Sequence, residues 1–289
     1  MREYATPAAF RAAVEAKLRQ RARHLGVPAY ILRRQAGLER LTVRLMTVAP
    51  NRWALKGGFA LETRLGERAR VSVDLDADHL RGAEAARADL QRAAIAEVDD
   101  HFGFAVTGTE ELRAGGVGLA VRYELESSLA GRLFEPLQVD VSIAAPDPWD
   151  AQPARRPGLL TDLGLGPIEV WLVPLERQAA EKLHAYTRTY ASGGTTRARD
   201  LVDLLLIREH GRLDPEALRP AIQHVFDGRA THAVPVCLPP PARALAVAYR
   251  REAERVEVVS RIEDAHRLLA DWLDPILAGT RGSPHGGSE

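Results

Sequence analysis

The chain of 289 residues is 46% hydrophobic and carries 39 Lys and Arg against 39 Asp and Glu, a formal net charge of zero. This supports one large domain or two modest ones and excludes disorder along most of the length; it also excludes a globally basic nucleic-acid wrapper, though not a local basic face. The single cysteine, Cys237, cannot form an internal disulfide, no Cys/His cluster has zinc spacing, no apolar run reaches a membrane span, and the start, with Glu3, has no signal-peptide pattern, so a soluble cytoplasmic protein without a membrane partner is expected.

Thr6-Pro7 predicts a helix start, and Phe10, Val14 and Leu18 keep helical spacing up to a stop at Gly26. A second helix follows Pro28 and closes at Pro50. The period then changes: Trp53-Ala54-Leu55 is a short apolar run ended by Gly57-Gly58, Phe59–Leu65 reads as a short helix, and Val71–Ala77 alternates as a strand. A long helix is expected over Gly82–Phe102. Strands follow from Phe104, clearest at Leu119–Leu125 and Leu137–Ile143, then a loop over Pro146–Pro157 and a last strand at Ile168–Val173. After Pro174 the pattern is helical: Leu175–Tyr190, Arg197–Glu209, Pro215–Val225, Pro241–Val258 and Ile262–Leu273. The expected fold class is α+β: a mixed-sheet core with N-terminal helices over 1–165, a mainly helical C-terminal domain over 166–278, and a disordered tail over 279–289.

Three features carry chemistry. Gly57-Gly58 after a short strand allows a ligand close to the backbone, and a helix opening behind it suits phosphate. Asp74 and Asp76, two apart on a strand, project on one face, where hard oxygens suit Mg²⁺ or Mn²⁺ carried with nucleotide phosphates. A third acid, Asp140, sits in the strand Val139-Asp140-Val141 and either faces solvent or joins the first two. Lysine is also scarce: of the 39 basic residues only Lys17, Lys56 and Lys182 are lysine, so those inside motifs draw attention. Lys182 reads as a clamp for a triphosphate or as a surface residue. Asp200 and Asp203, at i and i+3, lie on one helical face, where the bland alternative is dipole stabilisation and surface pairing. Ser72 either bonds a phosphate or decorates the strand, and His184 reads as a packing residue.

The order Gly-Gly, Asp-x-Asp, later strand acid resembles the polymerase-β-like nucleotidyltransferase superfamily. Lys56-Gly57-Gly58, Arg70-Val71-Ser72-Val73-Asp74-Leu75-Asp76, Glu181-Lys182-Leu183-His184 and Arg199-Asp200-Leu201-Val202-Asp203 together are similar to the AbiEii/AbiGii-type nucleotidyltransferase toxins. Phe59 departs from that pattern, which often has a small Thr or Ser there. The resemblance implies a metal-dependent transfer of NMP from an NTP to an acceptor hydroxyl, with RNA, such as a tRNA 3′ end, as acceptor and an antitoxin as partner. It also implies metal ligation by Asp74, Asp76 and Asp140, nucleotide contacts from Lys56, Gly57, Gly58, Arg70, Ser72 and Lys182, and catalytic roles for Lys182, Asp200 and Asp203. A sugar-nucleotide transferase leaves the Gly-Gly and the later helices unexplained, and a catalytically degenerate nucleotide-binding scaffold does not account for three acids and Lys182.

Overall fold

A computed structural model describes residues 4–114, 118–143, 150–188 and 197–279. The Thr6 hydroxyl accepts the Ala9 N–H at 3.1 Å, and helix α1 (Pro7–Leu25) ends at Gly26 with φ 63°. Helix α2 (Ala29–Val48) buries Leu32, Leu38, Leu41 and Leu45. It also buries Arg40 and Arg44, whose guanidinium groups grip the carboxylate of Asp100 at 2.7 Å each. Burial alone would raise the Asp100 carboxyl, but the two arginines outweigh it and hold it below the usual range.

Strand β1 (Trp53–Lys56), helix α3 (Gly57–Leu65), strand β2 (Leu75–His79) and helix α4 (Ala83–Ile95) follow. Then come β3 (Phe102–Ala114), β4 (Gly118–Leu129), β5 (Arg132–Ile143), β6 (Gln152–Arg156) and β7 (Ile168–Leu172). The strands form one mixed sheet in the order β3-β4-β5-β2-β1-β7-β6. β2 runs parallel to β5 and β1 parallel to β7; the other pairs are antiparallel. All four residues of β1 are buried, as expected of a strand inside a sheet with both faces covered.

The helical half comprises α5 (Leu175–Thr187), α6 (Ala198–His210), α7 (Pro215–Arg229), α8 (Ala246–Arg255) and α9 (Ile262–Gly279). Helix α6 packs against α5, α8 and α9. Every residue from Asp200 to Ile207 is buried, which makes α6 the axis of this half. The chain divides into two compact units. The sheet unit holds the chain up to Thr63 with Val71–Ala114 and Gly118–Val173; the helical unit holds Arg64–Arg70 and the chain from Pro174. Among the described residues no helix is long and apolar enough to cross a membrane.

The α+β architecture with a mixed sheet matches the sequence reading, while several boundaries differ, among them the helix expected over Pro241–Val258, which is α8 over Ala246–Arg255. The strand expected from Val71 begins at Leu75, because the backbone before it is used in a turn: the Ser72 hydroxyl donates to the Asp74 carbonyl at 3.0 Å, and Glu62 accepts the Ser72 N–H at 3.3 Å. The helix expected to reach Phe102 stops at Ile95, since Asp99 and His101 take positive φ and Asp100 turns inward to the two arginines. Part of the expected loop over Pro146–Pro157 is edge strand β6, which tolerates Pro153 because an edge strand has one side without ladder bonds; residues 146–149 lie outside the described residues. Strand β7, beyond the expected boundary at 165, belongs to the sheet unit. Tyr190 and 280–289 of the expected tail are also outside the described residues, while Gly279 closes α9.

Candidate active site

In the sheet unit, register gathers the acids. Asp76 is the partner of Lys56 on β1 and of Asp140 on β5, so Asp76 and Asp140 stand side by side on parallel strands and face the same way. The Gly57 backbone has φ 64°, and a Cβ there would fall inside the Asp76 carboxylate. Glycine is therefore required twice over at this turn, by its conformation and by the close approach of the acid. Asp74 precedes β2, with the Ser72 hydroxyl 3.4 Å from its Oδ1.

Three residues expected at phosphates are placed differently: Lys56, Ser72 and Arg70, whose fork is taken by Asp203. Lys56 is largely buried, its ammonium paired with Asp78 and donating to Ser142 Oγ at 3.0 Å. A buried ammonium requires such partners, so Lys56 ties β1 to β2 and β5 on the sheet face that Asp76 and Asp140 share. Ser72 is fully buried and directs its hydroxyl to Asp74. Behind it, burial pushes the Glu62 carboxyl up to about 7 despite Arg156 nearby. Phe59 is buried beneath the Arg156 guanidinium, 5.5 Å from the ring centre, which accounts for a large side chain where a small hydroxyl residue was expected.

Sequence reasoning missed Arg122. Its register partner on β5 is Asp140, and its Nε and Nη2 each donate to one carboxylate oxygen at 2.8 Å. The Gln138 amide lies 3.3 Å from both oxygens. The Asp140 hydrogen bonds, then the charges of Asp140, Glu110 and Asp74, raise the guanidinium above its ordinary value against a smaller opposing effect of burial. Alternation along β4 marks Arg122 as polar between apolar neighbours; only the register reveals its partner.

The donor set suits a hard divalent cation in its chemistry, and Gly57 keeps the space at Asp76 clear of a side chain. The spacing is less complete. Among the described residues no three acids stand as a ready metal cage, and the third acid is already held by Arg122. Asp76 and Asp140 supply neighbouring carboxylates of the kind such an ion would need, with Asp74 just before β2, and Asp140 would first have to exchange its guanidinium partner.

In the helical unit, Lys182 on α5 reaches Asp203 at 2.8 Å and Asp200 at 3.1 Å on α6. Arg70 forks onto Asp203 at 2.9 and 3.0 Å, and Arg197 meets Asp200 at 3.2 Å. Burial opposes the charge on Lys182, but Asp203 and Asp200 outweigh it and hold the ammonium above its ordinary value. The Asp203 carboxyl, which burial would raise, is held low by Lys182 and Arg70. The helix spacing read from sequence thus brings Lys182, Asp200 and Asp203 together, with Arg70 added. His184 packs on Phe226 and bonds Thr231 at 2.8 Å, as a packing residue would.

The family model for the AbiEii nucleotidyl transferase toxin of type IV toxin–antitoxin systems matches residues 44–274, from within α2 to near the end of α9. The chain belongs to the AbiEii family. As an AbiEii protein it is a nucleotidyltransferase, a class that generally uses divalent metal, and the family implies a nucleotide substrate and a cognate antitoxin. A crystal structure assigned to a nucleotidyltransferase from H. pylori aligns with a TM-score of 0.44 and 16% identity, covering 85% of this chain and 96% of that chain. No curated protein matches the chain. The AbiEii span takes in both clusters, from Gly57 and the three acids of the sheet unit to Lys182 and Asp203.

Proposed function

We propose that this AbiEii toxin transfers a nucleoside monophosphate from an NTP to the 3′ hydroxyl of an RNA, such as a tRNA, in the cytoplasm, under the control of its antitoxin. The observation that carries the reading is the register match of Asp76 with Asp140 beside the side-chain-free turn at Gly57. Asp74 and Asp76 would hold Mg²⁺ or Mn²⁺, joined by Asp140. When bound, the ion neutralises phosphate oxygens and favours departure of pyrophosphate from the α-phosphorus.

The chain's own residues do the rest. Gly57 and Gly58 let the phosphates approach the backbone, and the Ser72 hydroxyl positions Asp74 from behind. Lys182 spends two of its three N–H donors on Asp200 and Asp203, which aim the ammonium and leave one donor for a triphosphate oxygen. Asp200 and Asp203 act through Lys182, and Arg70 acts through Asp203. Lys56 ties together the strands that carry the turn and the acids.

The test is label transfer from each radiolabelled NTP in turn to total RNA in the presence of Mg²⁺. Asp76→Asn is expected to keep its melting temperature and lose transfer by at least about a hundredfold, the scale of removing one transition-state electrostatic group. Transfer by this variant at the wild-type rate refutes the metal-ligand role, and label on protein or small molecules alone refutes the RNA acceptor.

A further inference from the structure

Two basic residues meet the strand acids: Lys56 is the register partner of Asp76, and the Arg122 fork takes both oxygens of Asp140, the carboxylate that stands beside Asp76. Gln138 leans on the same two oxygens, so Asp140 is supplied with donors before any ion arrives. Two carboxylates side by side without a cation repel one another, and here part of the compensation is a side chain on the neighbouring strand. Neither partner is locked in the core: the Arg122 side chain is 31% exposed and that of Asp140 21%.

We propose that Arg122 is a resident counter-cation of the metal site: it holds Asp140 in the nucleotide-free enzyme and surrenders it to the divalent cation that arrives with the NTP. Arg122 is thus a positioning residue that keeps Asp140 aligned while weakening cation binding in the absence of nucleotide. The metal must displace a bidentate fork and enter beside a positive charge. The charged nucleotide assists by offering the guanidinium a substitute anion. This inference rests on the metal-ligand reading of Asp76 and Asp140 given above.

The test is Mn²⁺ binding to the full chain without nucleotide, followed by the electron paramagnetic resonance signal of free Mn²⁺. Arg122→Gln is expected to bind Mn²⁺ about tenfold more tightly, the effect of removing one unit charge a few ångströms away in a polar site. Arg122→Lys, which keeps the charge but not the fork, falls between. Adding Asp140→Asn to Arg122→Gln abolishes the gain. Unchanged or weaker Mn²⁺ binding by both Arg122 variants, with binding still lost in Asp76→Asn, overturns the counter-cation role and leaves the metal site standing. Mn²⁺ binding unaffected by Asp76→Asn overturns the metal reading and this inference with it.

Discussion

Lys182 lies between two carboxylates that each have a second cation: Asp203 has Arg70 and Asp200 has Arg197. Removing the lysine therefore strands neither acid, whereas removing Asp203, which is fully buried, takes the bidentate carboxylate from Arg70 and the shorter of its two ion pairs from Lys182. Breaking a buried pair from one side costs about 3–5 kcal/mol, because the charge left behind has lost its water and gained nothing. Asp203→Ala is accordingly expected to lower stability by up to that amount in urea unfolding, Asp200 still compensating Lys182 in part. Lys182→Ala should unfold near the wild-type midpoint while losing label transfer, and Lys182→Arg should recover transfer only in part, since a planar fork does not occupy the point of an ammonium. A Lys182→Ala protein with full transfer would reduce the lysine to a structural tie.

At the scale of elements, two glycines with nearly the same backbone angle differ in what surrounds them. Gly26 (φ 63°) closes α1 with nothing within 4 Å of where a methyl would stand, whereas at Gly57 (φ 64°) the methyl meets the Asp76 carboxylate. Alanine at either position takes on the left-handed strain of about 1–2 kcal/mol. Gly26→Ala and Gly57→Ala should both melt lower, and only Gly57→Ala should lose label transfer, because it alone displaces Asp76; equal transfer by the two would remove the turn from the site. Elements whose signal is local were legible in the sequence: the capped α1, the glycine turn, and the helical spacing that joins Lys182 to Asp200 and Asp203. Features set by partners distant in the chain were not. The strand before Leu75 gives way to a turn held by Glu62, β6 exists because β7 lies beside it, and Arg122 finds Asp140 only through the register of β4 on β5. Alternation says which side chains share a face, but not which strand lies next to it.

At the scale of the molecule, a chain with no net charge would bind the proposed RNA acceptor through local charge. Helix α1 carries five basic residues, Arg11, Lys17, Arg19, Arg21 and Arg23, against the single acid Glu15. Arg11 is held by the carbonyls of Leu129, Arg132 and Leu133, and Lys17 by Asp162, while the exposed Arg19 and Arg23 line a shallow groove of about 500 Å³ with Ala16, Ala22, Val27 and Ala29. Tyr30, next to Ala29 in the chain, is 46% exposed and offers a ring face for a base. The arginines of α8 are poorer candidates, since Arg255 already pairs with Glu252 and Arg199 of α6 shares the same acid. Each phosphate contact contributes about 0.7 to the slope of log affinity against log salt for a single strand, through the counterions it releases. Binding of a fluorescent single-stranded RNA, titrated at several salt concentrations, should therefore weaken in Arg19→Ala/Arg23→Ala and show a slope shallower by about 1 to 2. The same double change in α8, Arg250→Ala/Arg251→Ala, should leave the slope unaltered. A wild-type slope in the α1 variant, or the loss appearing in α8 instead, would move the RNA off the N-terminal helix without touching the assignment of the transfer site.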